Sequence, residues 1–349
     1  MFISIGLSIF TRTTSSIKIN FTEVGILNMG SENVKLKKIT LPTPYAISEV
    51  NVYIIWGEAL TIIDTGVKTE ESKAALTIGL KEWGLKIADI EQVILTHHHI
   101  DHAGGLDFFT KDIPVYGHEN NQRWLGIKDE FLTSHHQFIL DLSTELGVPE
   151  PLKENFFMMT QQYVKHGCER KLHKYLAEGD ELPGLPDWQI IETFGHAQSH
   201  LSFYHQKSGV MIGGDHLLVK MKTNPIMEPP IENKQNRPKP LLQYIHSLQK
   251  WLNVPISKLY TGHGQEVTDV HTLIDKRLSS LNNKAMQVKE LLSQKPSTGY
   301  EICQQLFPKM KLGFNYKLWE TVGYLDFLEE FGEIKKNTYP EASIYSMDK

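Results

Sequence analysis

Short apolar runs broken by glycine and polar turns dominate the chain as far as residue 267, and helical spacing dominates beyond it. Asn51 to Trp56 and Leu60 to Ile63 are rich in β-branched and aromatic residues, and Gly57-Glu58 between them predicts a hairpin. Glu70 to Trp83 places Ala74, Ala75, Ile78 and Trp83 at helical spacing, with acids in its first turn and Gly84 as a stop. Val93 to Leu95, Ile113 to Tyr116, Trp188 to Thr193, Leu201 to Tyr204, Val210 to Ile212 and Lys258 to Tyr260 are strand-like. Strands alternating with amphipathic helices predict an α/β class.

Two stretches break this rhythm. From Glu119 to about Lys174 no strand pattern appears. Phe131, Phe138, Ile139, Leu142 and Leu146, then Phe156, Phe157, Met158, Met159 and Tyr163, recur at helical spacings. This predicts a helical insertion at about 119–174, either forming one wall of a cleft or, for most of these side chains, packing as a core-facing helical pair, with His135 and His136 on its surface. From Leu217 to Pro240 the chain is aperiodic and carries five prolines. That length fits either a fixed loop at a cleft edge, with Lys220, Met221 and Met227 facing substrate, or a surface strap. Leu241 to Leu252 then reads as an amphipathic helix.

Past residue 267 an apolar stripe runs from Val270 through Ile274, Leu281 and Val288 to Leu292, ending at Pro296. Tyr300 to Phe307 and Asn315 to Phe331 predict two further helices, and Gly332 to Lys336 with Ser343 to Tyr345 a small hairpin. The domain reading is 1–33 as a disordered extension, with the working protein beginning near Met29, 34–267 as the catalytic domain and 268–349 as a mostly helical domain.

Composition adds limits. The chain has 349 residues, enough for one large domain and an appendage. With 40% hydrophobic and 22% charged residues it reads as a soluble globular protein. A formal charge of -5 offers no electrostatic pull toward nucleic acid or an anionic membrane. The apolar run Met1 to Phe10 has no preceding Lys or Arg and is too short to span a bilayer. Cys168 and Cys303 lie far apart, form no CxxC pair and suit a reducing, cytoplasmic setting.

The chemistry concentrates in Thr96-His97-His98-His99-Ile100-Asp101-His102, which leaves an apolar strand and precedes Ala103-Gly104-Gly105. Loops at the carboxyl ends of strands are where α/β sheets place their sites. If the loop stays extended, His97 and His99 point the same way, while Asp101 and His102 turn to a second locus. His98 reads as a solvated loop residue. Further along come Gly195-His196-Ala197-Gln198-Ser199-His200, Gly213-Gly214-Asp215 and Thr261-Gly262-His263-Gly264, each after a strand-like run.

This order of motifs resembles the metallo-β-lactamase superfamily over roughly Val34 to Val267, and Asp64-Thr65-Gly66 resembles its first motif. The resemblance implies an αββα sandwich with a metal centre at the sheet edge. It implies His97, His99 and His196 as ligands of one metal, and Asp101, His102 and His263 as ligands of a second. Asp215 would bridge the two and Asp64 would brace the loop. His200 then becomes a hydrogen-bonding neighbour. Imidazole and carboxylate donors without thiolate suit two divalent ions, zinc first, with iron and manganese compatible.

Two such ions sharing a hydroxide would attack a carbonyl or phosphoryl centre, with Asp101 helping to move the proton. His200, a tyrosine of the helical insertion or a metal-bound water would protonate the leaving atom. The expected activity is hydrolysis of a small or medium ester, thioester or lactone. The alternatives are a single-strand-specific endoribonuclease and a mononuclear iron persulfide dioxygenase. The C-terminal helices and hairpin resemble a winged-helix-like domain. Its 11 Lys+Arg against 11 Asp+Glu argue against a DNA partner and weaken the case for RNA. Packing on the catalytic domain or on a second copy in a homodimer is the expectation, with no membrane partner.

Overall fold

In strand β2 (Glu49–Trp56) every residue from Val50 to Ile55 is buried, so this strand lies inside a sheet covered on both faces. It pairs antiparallel with β1 (Leu36–Pro42) on one side and β3 (Leu60–Ile63) on the other. β3 runs parallel to β4 (Gln92–Ile94), followed by β5 (Val115–Gly117) and β6 (Lys174–Tyr175), so the six-stranded sheet keeps sequence order. The computed structural model describes residues 34–126, 129–153, 156, 161, 165–231, 236–309 and 313–348. The expected N-terminal extension, Phe157, Met158, Met159 and Tyr163 lie outside them.

A second sheet has the order β10 (Lys258–Tyr260), β9 (Val210–Ile212), β8 (Leu201–His205), β7 (Trp188–Glu192). Alternation decides which side chains meet. Tyr53, Ile55, Ile63 and Ile94 turn inward against Trp188, Ile190, Phe203 and Ile212 of the second sheet. Val52, Ile54, Ile62 and Val93 turn outward onto α1 (Glu70–Lys81). On the far side Tyr204, Met211 and Leu259 meet α5 (Pro240–Trp251) through Tyr244, Leu248 and Trp251. The result is an αββα sandwich.

The helix expected at Glu70 to Trp83 forms, capped by Thr69, whose side chain accepts from Ser72 N. Its buried face is Ser72, Leu76 and Leu80, whereas Ile78 and Trp83 are exposed, with Lys37 over the Trp83 ring at 4.0 Å. Two residues along a helix is a rotation of about 200°, so the spacing of Ile78 pointed to the side opposite Leu76 and Leu80.

The insertion supplies α3 (Asp129–Glu145) and α4 (Glu150–Lys153) after the one-turn α2 (Ile100–Ala103). Beyond α5 come α6 (Val270–Gln294), α7 (Gly299–Leu306) and α8 (Phe314–Glu330). A hairpin of β12 (Ile334–Thr338) and β13 (Ser343–Met347) follows, with β11 (Ser297–Thr298) added to its edge. Thr298 and Glu301 form a capping box that starts α7 directly after Pro296. One apolar cluster runs from Tyr204 and Met211 through α6 to Phe327 and Tyr345, so the C-terminal helices share a core with the second sheet. Arg237 ties the strap to α8 through two bonds to Asp326, at 2.7 and 2.5 Å.

Ile139 and Leu142 of α3 pack with Trp319 and Val322 of α8, and Met227 of the proline-rich strap is buried among them. Met227 therefore belongs to the core, while Lys220 stays exposed and Met221 half-buried. No helix among the described residues is long and apolar enough to cross a membrane.

Candidate metal centre

Asp64 ends β3 with φ 59°, the single left-handed non-glycine position among the described residues. Aspartate tolerates that conformation better than most residues, and such strain concentrates at functional sites. The twist aims its carboxylate at the loop after β4. Oδ1 accepts from Thr96 N at 2.8 Å, and Oδ2 accepts from Thr96 Oγ1 at 2.7 Å and from His102 Nδ1 at 2.8 Å. One side chain thus pins both ends of the histidine loop and leaves His102 Nε2 facing the cleft. The Thr65 backbone N–H and hydroxyl both donate to His102 O, at 2.7 and 2.8 Å. The chain can follow this path because Gly105 lacks a Cβ, which would sit 2.2 Å from Thr65 O.

The other imidazoles are held by backbone. His196 Nδ1 donates to Asn224 O at 3.0 Å, and His263 Nδ1 donates to Glu49 O. Each therefore directs Nε2 inward, the tautomer that a metal requires. Asn51 and Tyr53 hold the His263 loop: Asn51 Nδ2 donates to Thr261 O and Gly264 O, and Tyr53 Oη to Thr261 O at 2.6 Å. A Cβ on Gly262 would lie 2.0 Å from Asp215 Oδ1, so only glycine fits between the two motifs.

Together these elements bring all seven sequence-singled residues to one place. His97, His99 and His196 form one group with ligand atoms within 4.8 Å of one another. His97, His102 and Asp215 form a second, and Asp101, His102 and His263 a third. Asp215 sits among them, with Oδ1 3.4 Å from His102 Nε2 and Oδ2 3.5 Å from His196 Nε2 and 3.2 Å from His263 Nε2.

His102 Nε2, His196 Nε2, His263 Nε2 and Asp215 Oδ1 are buried without a hydrogen-bond partner among the described residues. Unpaired buried polar atoms each cost about 1–3 kcal/mol. Several converging on one point is the donor set that a divalent cation satisfies, so the residues fit a metal centre.

The electrostatics agree. Burial opposes charge on both carboxylates, yet His102 and His263 hold Asp101 near 2, and His263 and His102 hold Asp215 well below the usual carboxylate range. Burial likewise opposes charge on His263, but Asp215 and Asp101 raise it to about 10. Burial keeps His97 and His99 well below the ordinary imidazole range, and it lowers His196 despite Asp215. The centre holds two ionised carboxylates in a poorly hydrated place and favours positive charge between them.

Two expectations change. His200 is fully buried, its Nδ1 is 2.7 Å from Thr193 Oγ1, and its Nε2 accepts from Asp215 N at 3.1 Å. Both nitrogens are committed, so it cannot serve as a proton donor to a leaving group; it fixes the backbone of Asp215. His98 is not a solvated loop residue. It is 2% exposed, stacks on Trp124 at 4.5 Å and 4°, and its Nδ1 lies 2.8 Å from Ser199 Oγ.

The strap also has a role that sequence reasoning missed. Thr223 Oγ1 donates to Asp215 O at 2.7 Å, and buried Glu228 accepts from Gln198 N at 2.7 Å and from Arg123 Nη2 at 2.8 Å. The available signal was an acid directly before two prolines, Glu228-Pro229-Pro230. His135 is half-buried against Trp124 at 5.3 Å, in keeping with a helix-surface position facing inward.

The sequence model described as the metallo-beta-lactamase superfamily matches residues 47–263, which span every motif of the site. The chain belongs to the metallo-β-lactamase superfamily. The probable metallo-hydrolase YqjP of Bacillus subtilis (strain 168) is 40% identical over 292 residues, covering 83% of this chain and 91% of that protein. Among solved structures, a metallo-beta-lactamase family protein of Thermus thermophilus aligns with TM-score 0.75 and 25% identity, over 89% of this chain and 98% of that one. A beta-lactamase domain protein from Burkholderia ambifaria aligns with TM-score 0.74 and 19% identity, over 89% and 92%. Both alignments extend past the metallo-β-lactamase sandwich, so the fold they share includes most of the C-terminal helices. Divalent metal binding is the superfamily's property, and this chain's histidines and aspartates are grouped to provide it.

Proposed function

We propose that this protein is a dinuclear metal-dependent hydrolase of a small or medium carbonyl substrate, an ester, thioester or lactone. The observation that carries the reading is the position of Asp215, whose two oxygens reach the imidazoles of both groups at 3.2–3.5 Å. His97, His99 and His196 would hold one ion and Asp101, His102 and His263 the other, with Asp215 shared and zinc the first expectation. Bound there, divalent ions supply Lewis acidity to a carbonyl oxygen and acidify water for attack near neutral pH.

The chain's own groups do the rest. Asp101, 17% exposed in its side chain, faces the cleft and can accept the attacking water's proton at Oδ2. Burial and the charge of Asp101 push the Tyr45 and Tyr316 phenols up, so both stay protonated and can donate to a substrate oxygen. Tyr45 Oη is steadied by His166 Nδ1 at 2.7 Å. These two tyrosines come from the β1–β2 loop and from α8; the tyrosine of the helical insertion, Tyr163, lies outside the described residues. The name of the Bacillus relative supports a metallo-hydrolase without specifying the bond.

The test is a screen of the zinc-loaded protein against esters, thioesters, lactones, phosphodiesters and single-stranded RNA. Turnover of a carbonyl substrate that chelation abolishes and zinc restores is expected. RNA cleavage alone, or dioxygen consumption with a persulfide, would contradict the proposal.

A further inference from the structure

Buried polar atoms without partners also gather at a second place, on the helix side of the second sheet. His216, the neighbour of Asp215, is fully buried, and neither of its ring nitrogens has a hydrogen-bond partner among the described residues. Its ring packs edge-on against Tyr244 at 5.0 Å and against Trp251 at 4.6 Å, both on α5. Tyr244 Oη and Trp251 Nε1 are likewise buried and unpartnered among the described residues. Arg277 of α6 is 8% exposed. Its Nη2 donates to the carbonyls of Leu218 and Met221, at 2.8 and 3.0 Å, and its Nη1 has no partner among the described residues. Burial raises the Tyr244 phenol, and Arg277 and Thr223 beside it pull the other way. Thr223 Oγ1 in turn donates to His216 O at 3.1 Å. The unpartnered atoms thus surround one spot, between the turn after β9 and helices α5 and α6.

The chemistry of this set is the reverse of the metal centre's. There the orphaned atoms are ligands for a cation. Here Arg277 Nη1 and Trp251 Nε1 can only donate, Tyr244 carries an O–H, and a neutral imidazole adds one N–H. The guanidinium keeps its charge at any pH of interest, and no carboxylate pairs with it among the described residues. Buried charges are ordinarily paired, because an unpaired one is costly in a poorly hydrated place. A water would bring two more donors to a group already rich in them. An anion would accept from all of them and neutralise Arg277. Tyr244 and Trp251 are at most 1% exposed, so the space is closed and suits a single atom better than a carboxylate or a phosphate.

We propose that His216, Tyr244, Trp251 and Arg277 form an internal site for a monovalent anion of chloride size, the counter-ion of Arg277. The site is structural and touches no substrate. It matters to the metal centre because Arg277 holds Leu218 and Met221 of the strap, whose Thr223 and Asn224 brace Asp215 and His196.

Bromide, a heavier halide, is the probe. Crystals of the zinc-loaded protein grown in sodium bromide should show an anomalous peak at the bromine edge among these four side chains. Density there without a bromine signal would identify water and overturn the site. In solution, the zinc-loaded protein should unfold about 2 °C higher in sodium bromide than in sodium gluconate at equal concentration, the effect of a ligand held near ten times its dissociation constant. Equal midpoints would mark any peak as binding at crystal concentration only, and would overturn the proposal. Arg277→Met should abolish the difference between the two salts, and a difference that persists in this variant assigns the halide to the metal centre or to bulk solvent instead. If Arg277→Met does not fold, Tyr244→Phe keeps the ring and removes one donor. It should weaken bromide binding roughly fivefold, and a wild-type bromide dependence in Tyr244→Phe contradicts the site.

Discussion

The two sides of the metal centre are braced by different means. The His97–His102 loop depends on one side chain, the Asp64 carboxylate, which takes hydrogen bonds from Thr96 and from His102. His196 and His263 depend on main-chain carbonyls, Asn224 O and Glu49 O, supplied by the strap and by the start of β2. A carboxylate brace is strong and local, and one substitution removes it. A carbonyl brace survives any substitution at its own residue, but it is only as well placed as the segment that carries it. The second side therefore spreads its dependence over Thr223, Glu228, Asn51 and Tyr53.

This contrast can be broken at graded cost. Asp215→Ala removes the residue shared by both sides and should reduce bound metal to one equivalent per chain or less, read by elemental analysis. Unchanged stoichiometry would dismiss the shared-carboxylate assignment. Asp64→Asn keeps the shape but replaces an ionised acceptor, and should weaken metal affinity about 10–100-fold, the usual effect of losing such a partner. A competition titration with a chromophoric chelator reads it, and wild-type affinity would show that the loop holds itself.

Thr223→Val removes one hydroxyl bond to Asp215 O and leaves the Asn224 carbonyl in place. It should cost about 1 kcal/mol, or roughly fivefold in affinity. A loss as large as that of Asp64→Asn would erase the distinction between the two sides. Metal uptake should also release protons. With His263 raised to about 10, its imidazole is protonated at pH 8 and must give up that proton to bind, and Asp215, Asp101 and Asp64 push His102 in the same direction against the effect of burial. Calorimetry in buffers of different ionisation enthalpy should show net proton release at pH 8, and its absence would mean that these imidazoles stay outside the coordination.

The same contrast explains what could be read in advance. His97, His99, Asp101, His102, His196, Asp215 and His263 were legible together, as ligand types that follow strand-like runs beside glycine in the order the family resemblance implies. Asp64 was legible through the resemblance of Asp64-Thr65-Gly66 to the family's first motif. The β-branched runs separated by turns gave the α/β class, and the resemblance of the motifs implied the sandwich.

Burial of polar residues was not legible, because it depends on segments far away in sequence. His98 is buried by Trp124, and His200 is committed by Thr193 and Asp215. The strap's carbonyls carry no sequence signature. Asn51 was a further hint, a polar residue within an otherwise apolar strand, and it marks the support of the His263 loop. The outward face of α1 was misjudged because Ile78 and Trp83 satisfy helical spacing yet point to solvent.

The most direct test of the central claim is anomalous scattering from crystals of the zinc-loaded protein, recorded on either side of the zinc edge. Two peaks are predicted, one among His97, His99 and His196 and one among Asp101, His102 and His263, with Asp215 between them. A single peak, or metal that leaves His263 or His196 uncoordinated, would contradict it.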